Sequence, residues 1–148
     1  MKHFALVLSI LLALPAVAAA DILRVKAAGD VAATMDALEA AVAGAGATVF
    51  ARVDHAAGAA GVGMDLAASQ LLVFGNPKLG TPAMQDDPLA GLYLPLKVLV
   101  YEDADGQVWL AYDDPATLLD GLAIPADAAY LARMAGALKN LTGAAAGG

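Results

Sequence analysis

The sequence contains no cysteine, which excludes disulfides, thiolate nucleophiles, thiolate metal sites and a lipid-modified cysteine anchor. Histidine is nearly as scarce: His3 lies in the first segment, and His55 is the only one beyond it. Zinc usually takes several nitrogen or sulfur ligands, so one imidazole without a thiol is a poor start for a zinc site. Ser69 is the single serine after residue 20 and has no G-x-S-x-G setting, so nucleophilic hydrolysis is not indicated. Basic side chains number 8 against 15 acidic ones, a formal net charge of −7. Such a surface repels phosphate backbones, and no nucleic-acid partner is expected.

What is present begins at the N-terminus. Met1-Lys2-His3 is a short basic start, Phe4 to Leu14 is apolar, Pro15 breaks the run, and Ala18-Ala19-Ala20 supplies small residues. That order predicts a signal peptide over 1–20, cleaved near Ala20/Asp21, and a periplasmic or secreted protein. The apolar run is too short for a membrane anchor, which needs about 20 residues, and no membrane span is expected in the mature chain. Loss of Lys2 would make the mature chain one unit more acidic. Residues 21–148 amount to one domain, large enough to hold its own core.

Leu23, Val25 and Ala27 alternate with Arg24 and Lys26, which predicts a strand with one buried face. Asp30 stands where an N-cap is wanted, and Val31, Met35, Leu38 and Val42 recur at helical spacing up to Gly44 and Gly46. A second strand is expected from Thr48 to Asp54, and a short glycine-interrupted helix after it. A continuous apolar strand comes next at Gln70–Phe74, then a loop and a helical turn or two within 82–89. Leu96–Glu102 and Gln107–Asp113 read as a hairpin, with positive φ angles at Asp105-Gly106. A last amphipathic helix carries Tyr130, Leu131, Met134, Leu138 and Leu141, with Lys139 near its end. The tail 142–148, "TGAAAGG", is expected to be disordered. The order predicts an α+β domain, an antiparallel or mixed sheet of about five strands covered by two main helices.

Several features invite a chemical reading. "FGNPKLGTPAM", residues 74–84, has the G-x-x-x-x-G spacing of a phosphate loop. A P-loop, however, needs Lys and then Ser or Thr directly after its second glycine. Here Thr81 follows Gly80 at once, Lys78 lies inside the loop, and Pro77 removes a donor; Pro82 is expected to stop a helix from starting there. Nucleotide binding is therefore excluded, and no cofactor is implied.

His55 follows Asp54 at a strand end, and the pair is a candidate for acid–base catalysis; the alternative is a histidine that serves only the strand–helix junction. His55 with the loop thioethers Met64 and Met84 is a candidate Cu(I) set in an exported protein. Asn76, Lys78, Thr81 and Met84 are candidate ligand-binding residues, expected to converge with His55 beyond two strand ends, and Lys97 is a further one. Glu102, Asp103 and Asp105 fit the solvated chemistry of a turn and lack the spacing of a calcium loop.

The strings "RVDHAAGA" (52–59), "FGNPKLGTPAM" (74–84) and "LPLKVLVYEDADG" (94–106) resemble the domain of unknown function 302 (DUF302) family, of the TT1751-like superfamily. The resemblance covers about residues 21–141 and departs at Ala83, where a larger apolar residue is expected. It implies an α+β fold and a homodimer, and it brings no established activity. The functional expectation is an exported small-ligand-binding or accessory domain. The alternatives are an enzyme using His55 and a Cu(I) accessory protein.

Overall fold

In the computed structural model, which describes residues 21–147, five strands form one antiparallel sheet in which the first strand in the chain lies beside the fifth, followed by the fourth, the third and the second. The signal segment expected over 1–20 lies outside the described residues. Strand β1 (Ile22–Lys26) runs into helix α1 (Val31–Gly44), capped by Asp30, whose carboxylate accepts the Ala33 N–H at 2.8 Å. Strand β2 (Thr48–Asp54) feeds helix α2 (His55–Gly61), and β3 (Ser69–Gly75) feeds helix α3 (Pro77–Asp86). A 3₁₀ turn at Pro88–Leu92 leads into the hairpin β4 (Leu96–Glu102) and β5 (Val108–Asp113). Short α4 (Pro115–Leu118) and long α5 (Ala129–Ala146) complete the chain.

The pleat sorts the strand residues. Leu72 and Phe74 of β3, Val98 and Val100 of β4, and Leu110 of β5 are buried on the face that carries α1 and α5. Met35, Leu38 and Val42 of α1 and Met134 and Leu138 of α5 meet them at helical spacing. Each such side chain contributes about 1.5–3 kcal/mol by burial. The α+β fold expected from the sequence is the one observed, with the sheet wholly antiparallel and the long helices on one side. On the other side Leu71 pairs with Leu99, and Tyr101 with Trp109. These four stay only half-buried, because no long helix among the described residues covers that face.

Four local expectations are corrected. The tail is helical: α5 runs to Ala146, and Thr142, Ala145 and Ala146 are buried. Small residues here permit close approach rather than lack a partner, since the Ala146 carbonyl accepts the Ala28 N–H at 3.0 Å. Lys139 consequently lies well inside the helix and not near its end. Pro82 sits within α3 and does not prevent it. In the hairpin only Gly106 has positive φ, 77°. The loop is longer than a two-residue turn, and Asp103 holds it by accepting the N–H groups of Asp105 and Gln107.

Candidate functional site

A cleft lies where β3 ends and α3 begins. Gly75 closes β3, and Asn76, in extended conformation, caps α3: its Oδ1 accepts the Lys78 N–H at 3.0 Å. Pro77 comes next, at the first helical position, where its missing N–H costs nothing and its fixed φ suits the helix. Pro82 takes one donor out of the helix interior. The helix survives because its far end is anchored: Tyr130 of α5 donates its hydroxyl to Asp86 at 2.7 Å, and Asp87 accepts the N–H groups of Leu89 and Ala123, both at 2.9 Å.

Under α3 this leaves a cleft of about 360 Å³. Leu79, Thr81 and Met84 of α3 form its roof, Met134 of α5 contributes from the core, and Leu94-Pro95 closes one wall through a cis peptide bond. The opposite wall is Phe50. Between Val49 and Ala51 the pairing of β2 with β3 shifts by one residue, so Phe50 is a bulge residue. A bulge re-aims a side chain, and this ring is 57% exposed at the cleft mouth. Gly75 makes the approach possible: a Cβ there would stand 3.3 Å from the Phe50 ring and 3.4 Å from Pro95. Among the described residues no ionisable side chain lines the cleft. Asn76 and Thr81 are its polar side chains.

The expected site residues divide between two ends of the sheet. Asn76, Thr81 and Met84 come together in the cleft. Lys78 is exposed and outside the lining. Lys97 is not among the liners either; its ammonium donates to the carbonyls of Tyr93 (2.8 Å) and Pro95 (3.2 Å) and so steadies the cleft wall. His55 does not join them, contrary to expectation. In the β2–β3 pair Thr48 stands opposite Gly75 and Asp54 opposite Gln70, so His55 leaves β2 at the far end of the strand from Asn76. Met64 lies just past α2 at that same far end, 66% exposed, which separates it from Met84.

Asp54 is committed to structure. Its Oδ1 accepts the Ala57 N–H at 2.8 Å as the cap of α2, and its Oδ2 accepts from Gln70 at 3.2 Å. Gln70 in turn accepts from Arg52, which pairs with Asp36 at 2.5 Å and Glu39 at 3.3 Å on α1. Hydrogen bonding to Asp36 raises the Arg52 guanidinium above its ordinary value, so that side chain keeps its positive charge. Among the described residues no three His, Asp or Glu side chains gather as a metal site. Phe50, Leu94 and Pro95 were missed by sequence reasoning. An aromatic on the exposed side of an edge strand was the available signal for Phe50.

Comparison with known proteins agrees with this architecture. A family model described as domain of unknown function DUF302 matches residues 23–142. A crystal structure of an uncharacterised conserved DUF302 protein from Bacillus stearothermophilus superposes with a TM-score of 0.76 at 20% identity, covering 84% of this chain and 97% of that one. Two curated relatives, from Brucella suis biovar 1 and Brucella abortus biovar 1, are each 40% identical over 117 residues and are named fluoride-specific ion channel FluC 1. The aligned region is 78% of this chain but 46% and 43% of those proteins, so the chain spans less than half their length. No helix among the described residues is long and apolar enough to cross a membrane.

Proposed function

The chain belongs to the DUF302 family, and from that footing we propose that it is an exported accessory domain that holds a small molecule in the cleft beneath α3. The observation that carries this reading is the cleft itself. Its volume of about 360 Å³ falls in the range of small-ligand sites, which run from about 300 to 1,000 Å³ and combine apolar walls with a few polar groups. Export rests on the order of basic, apolar and small residues in 1–20. Protein recovered from the cell envelope is expected to begin at Asp21 by N-terminal sequencing. Native mass spectrometry of that protein is expected to show a bound small molecule that a cleft-filling Gly80→Leu variant loses. An empty wild type with full biological activity would end the ligand reading.

A second reading concerns the partner. The relatives named as fluoride channels carry this domain within chains more than twice as long as the matched region. Joining two functions in one chain is a reason to infer that they work together, so this domain would serve fluoride export from outside the membrane-spanning part. Deleting the gene is expected to lower growth in fluoride medium, and unchanged tolerance would remove the inference. The homodimer fits the half-buried apolar face of Leu71, Leu99, Tyr101 and Trp109. Light scattering of Leu99→Lys is expected to report a monomer.

A further inference from the structure

Resting on the reading of the cleft as a ligand site, we propose that its ligand is a neutral, largely apolar molecule carrying one hydrogen-bond acceptor, and that anions, fluoride included, are kept out. Among the described residues the lining holds no ionisable side chain. A charge brought into such a space loses its hydration without a partner, which is costly for either sign. The Lys97 ammonium, at the Leu94-Pro95 wall, already donates to the carbonyls of Tyr93 and Pro95, and Lys78 is exposed and outside the lining. The chain as a whole carries −7, which adds a general repulsion of anions.

Size and orientation are set by the same walls. An apolar cavity of about 150 Å³ takes a benzene, so on that scale this cleft accommodates roughly a dozen to fifteen non-hydrogen atoms. The Phe50 ring and the Met84 and Met134 thioethers favour a flat aromatic or polarisable body. Asn76 uses its oxygen on the Lys78 N–H; its NH₂ group donates, and so does the Thr81 hydroxyl. A carbonyl at one end of the ligand suits both.

The test uses isosteric probes that differ in charge: naphthalene-2-carboxamide, naphthalene-2-carboxylate and 2-naphthylmethylammonium, with sodium fluoride as a separate arm. Each is titrated into full-length mature protein while backbone amide resonances are followed. The carboxamide is expected to move Gly75, Gly80 and Leu94. The carboxylate and the ammonium should bind at least tenfold more weakly, and fluoride should leave these resonances in place. Thr81→Val is expected to weaken the carboxamide several-fold.

Gly80→Leu should abolish binding. Its Cβ has room, 3.7 Å from Leu94 and 3.9 Å from Met84, while the rest of the side chain fills the cleft. Gly80→Ala is a smaller change that serves if leucine disturbs the fold. Equal or tighter binding of a charged probe, or fluoride shifts at these residues, overturns the neutral-ligand proposal and leaves the cleft as a site. Absence of any probe effect at these residues overturns the site reading as well. So do probe-free shifts that depend on protein concentration, because a second copy then occupies the cleft.

Discussion

β2 and β3 leave the sheet in the same way: an extended Asx residue caps the helix behind it, Asp54 for α2 and Asn76 for α3. The two exits lie at opposite ends of one antiparallel pair, and the cleft lies at the second. The difference lies in the side chains of the helix behind each cap. Helix α2, "HAAGAAG", buries no residue and has nothing larger than alanine after His55 to bury. Its end of the sheet is held by polar links running from Asp54 through Gln70 and Arg52 to α1. Helix α3 brings Leu79 and Met84 to the cleft, buries Ala83 in the core and ties its far end to α5. A shared local device thus sets where a helix begins, and bulk and anchoring decide whether the helix becomes a roof.

The strongest way to break this contrast is at the floor of the cleft. Met134, 1% exposed and lining the cavity, should cost about 2–5 kcal/mol when truncated to alanine, read as a lower midpoint in urea unfolding. His55→Ala at the other end should leave that midpoint within about 0.5 kcal/mol of wild type.

The caps sharpen the comparison. Asp54→Ala and Asn76→Ala should each lose about 1 kcal/mol of stability, as N-cap replacements do. Only the second should change probe binding in the cleft. Equal effects of both on binding would mean that the two ends communicate.

The Tyr130–Asp86 clasp comes next, worth about 0.5–1.5 kcal/mol as a hydrogen bond when Tyr130→Phe is compared by thermal unfolding. Burial, helped by Asp86, pushes the Tyr130 phenol from 10.0 up to about 12. The fold therefore favours the protonated phenol. Its contribution is whole below pH 10 and disappears as the pH rises through about 12. Ultraviolet titration should show one late tyrosine that Tyr130→Phe removes.

At low pH the sign reverses. The Ala123 and Leu89 N–H groups hold the Asp87 carboxylate below its ordinary 3.8. Its contribution is present above that value and lost as the pH falls through the depressed one. Asp87→Asn should flatten the acid limb of the stability curve. The smallest effect belongs to Lys78→Ala, exposed and outside the lining, which should change neither stability beyond about 0.5 kcal/mol nor probe affinity.

Much of the frame is legible in residue order. Asp30 before the Val31, Met35, Leu38 and Val42 stripe marks α1, and the Asp105-Gly106 turn marks the β4–β5 hairpin. Less legible is whatever depends on distant partners. Pro82 reads as a helix stop because its local cost is visible, whereas the Tyr130 and Ala123 anchors lie 44 and 36 residues in sequence from Asp86 and Asp87, which they hold. The alanines after Thr142 read as disorder, because composition does not reveal that a narrow gap beside Ala28 requires small side chains. Asn76, Thr81 and Met84 are close in sequence, and one short helix brings them to one cleft. His55 was expected with them because each lies just past a strand, and strand direction, which separates them, is a property of pairing and not of spacing.

The extra residue at Phe50 has a second consequence. β2 is an outer strand, and an unpaired ladder of N–H and C=O groups invites strands of other molecules to join it. A straight strand cannot continue its pairing past a bulge, and Arg52, tied to α1 nearby, places a charge along the same margin. The kink that turns an aromatic ring toward the cleft therefore also guards the protein against edge-to-edge association. Straightening β2 by deleting Phe50 would trade a cleft wall for a sticky border.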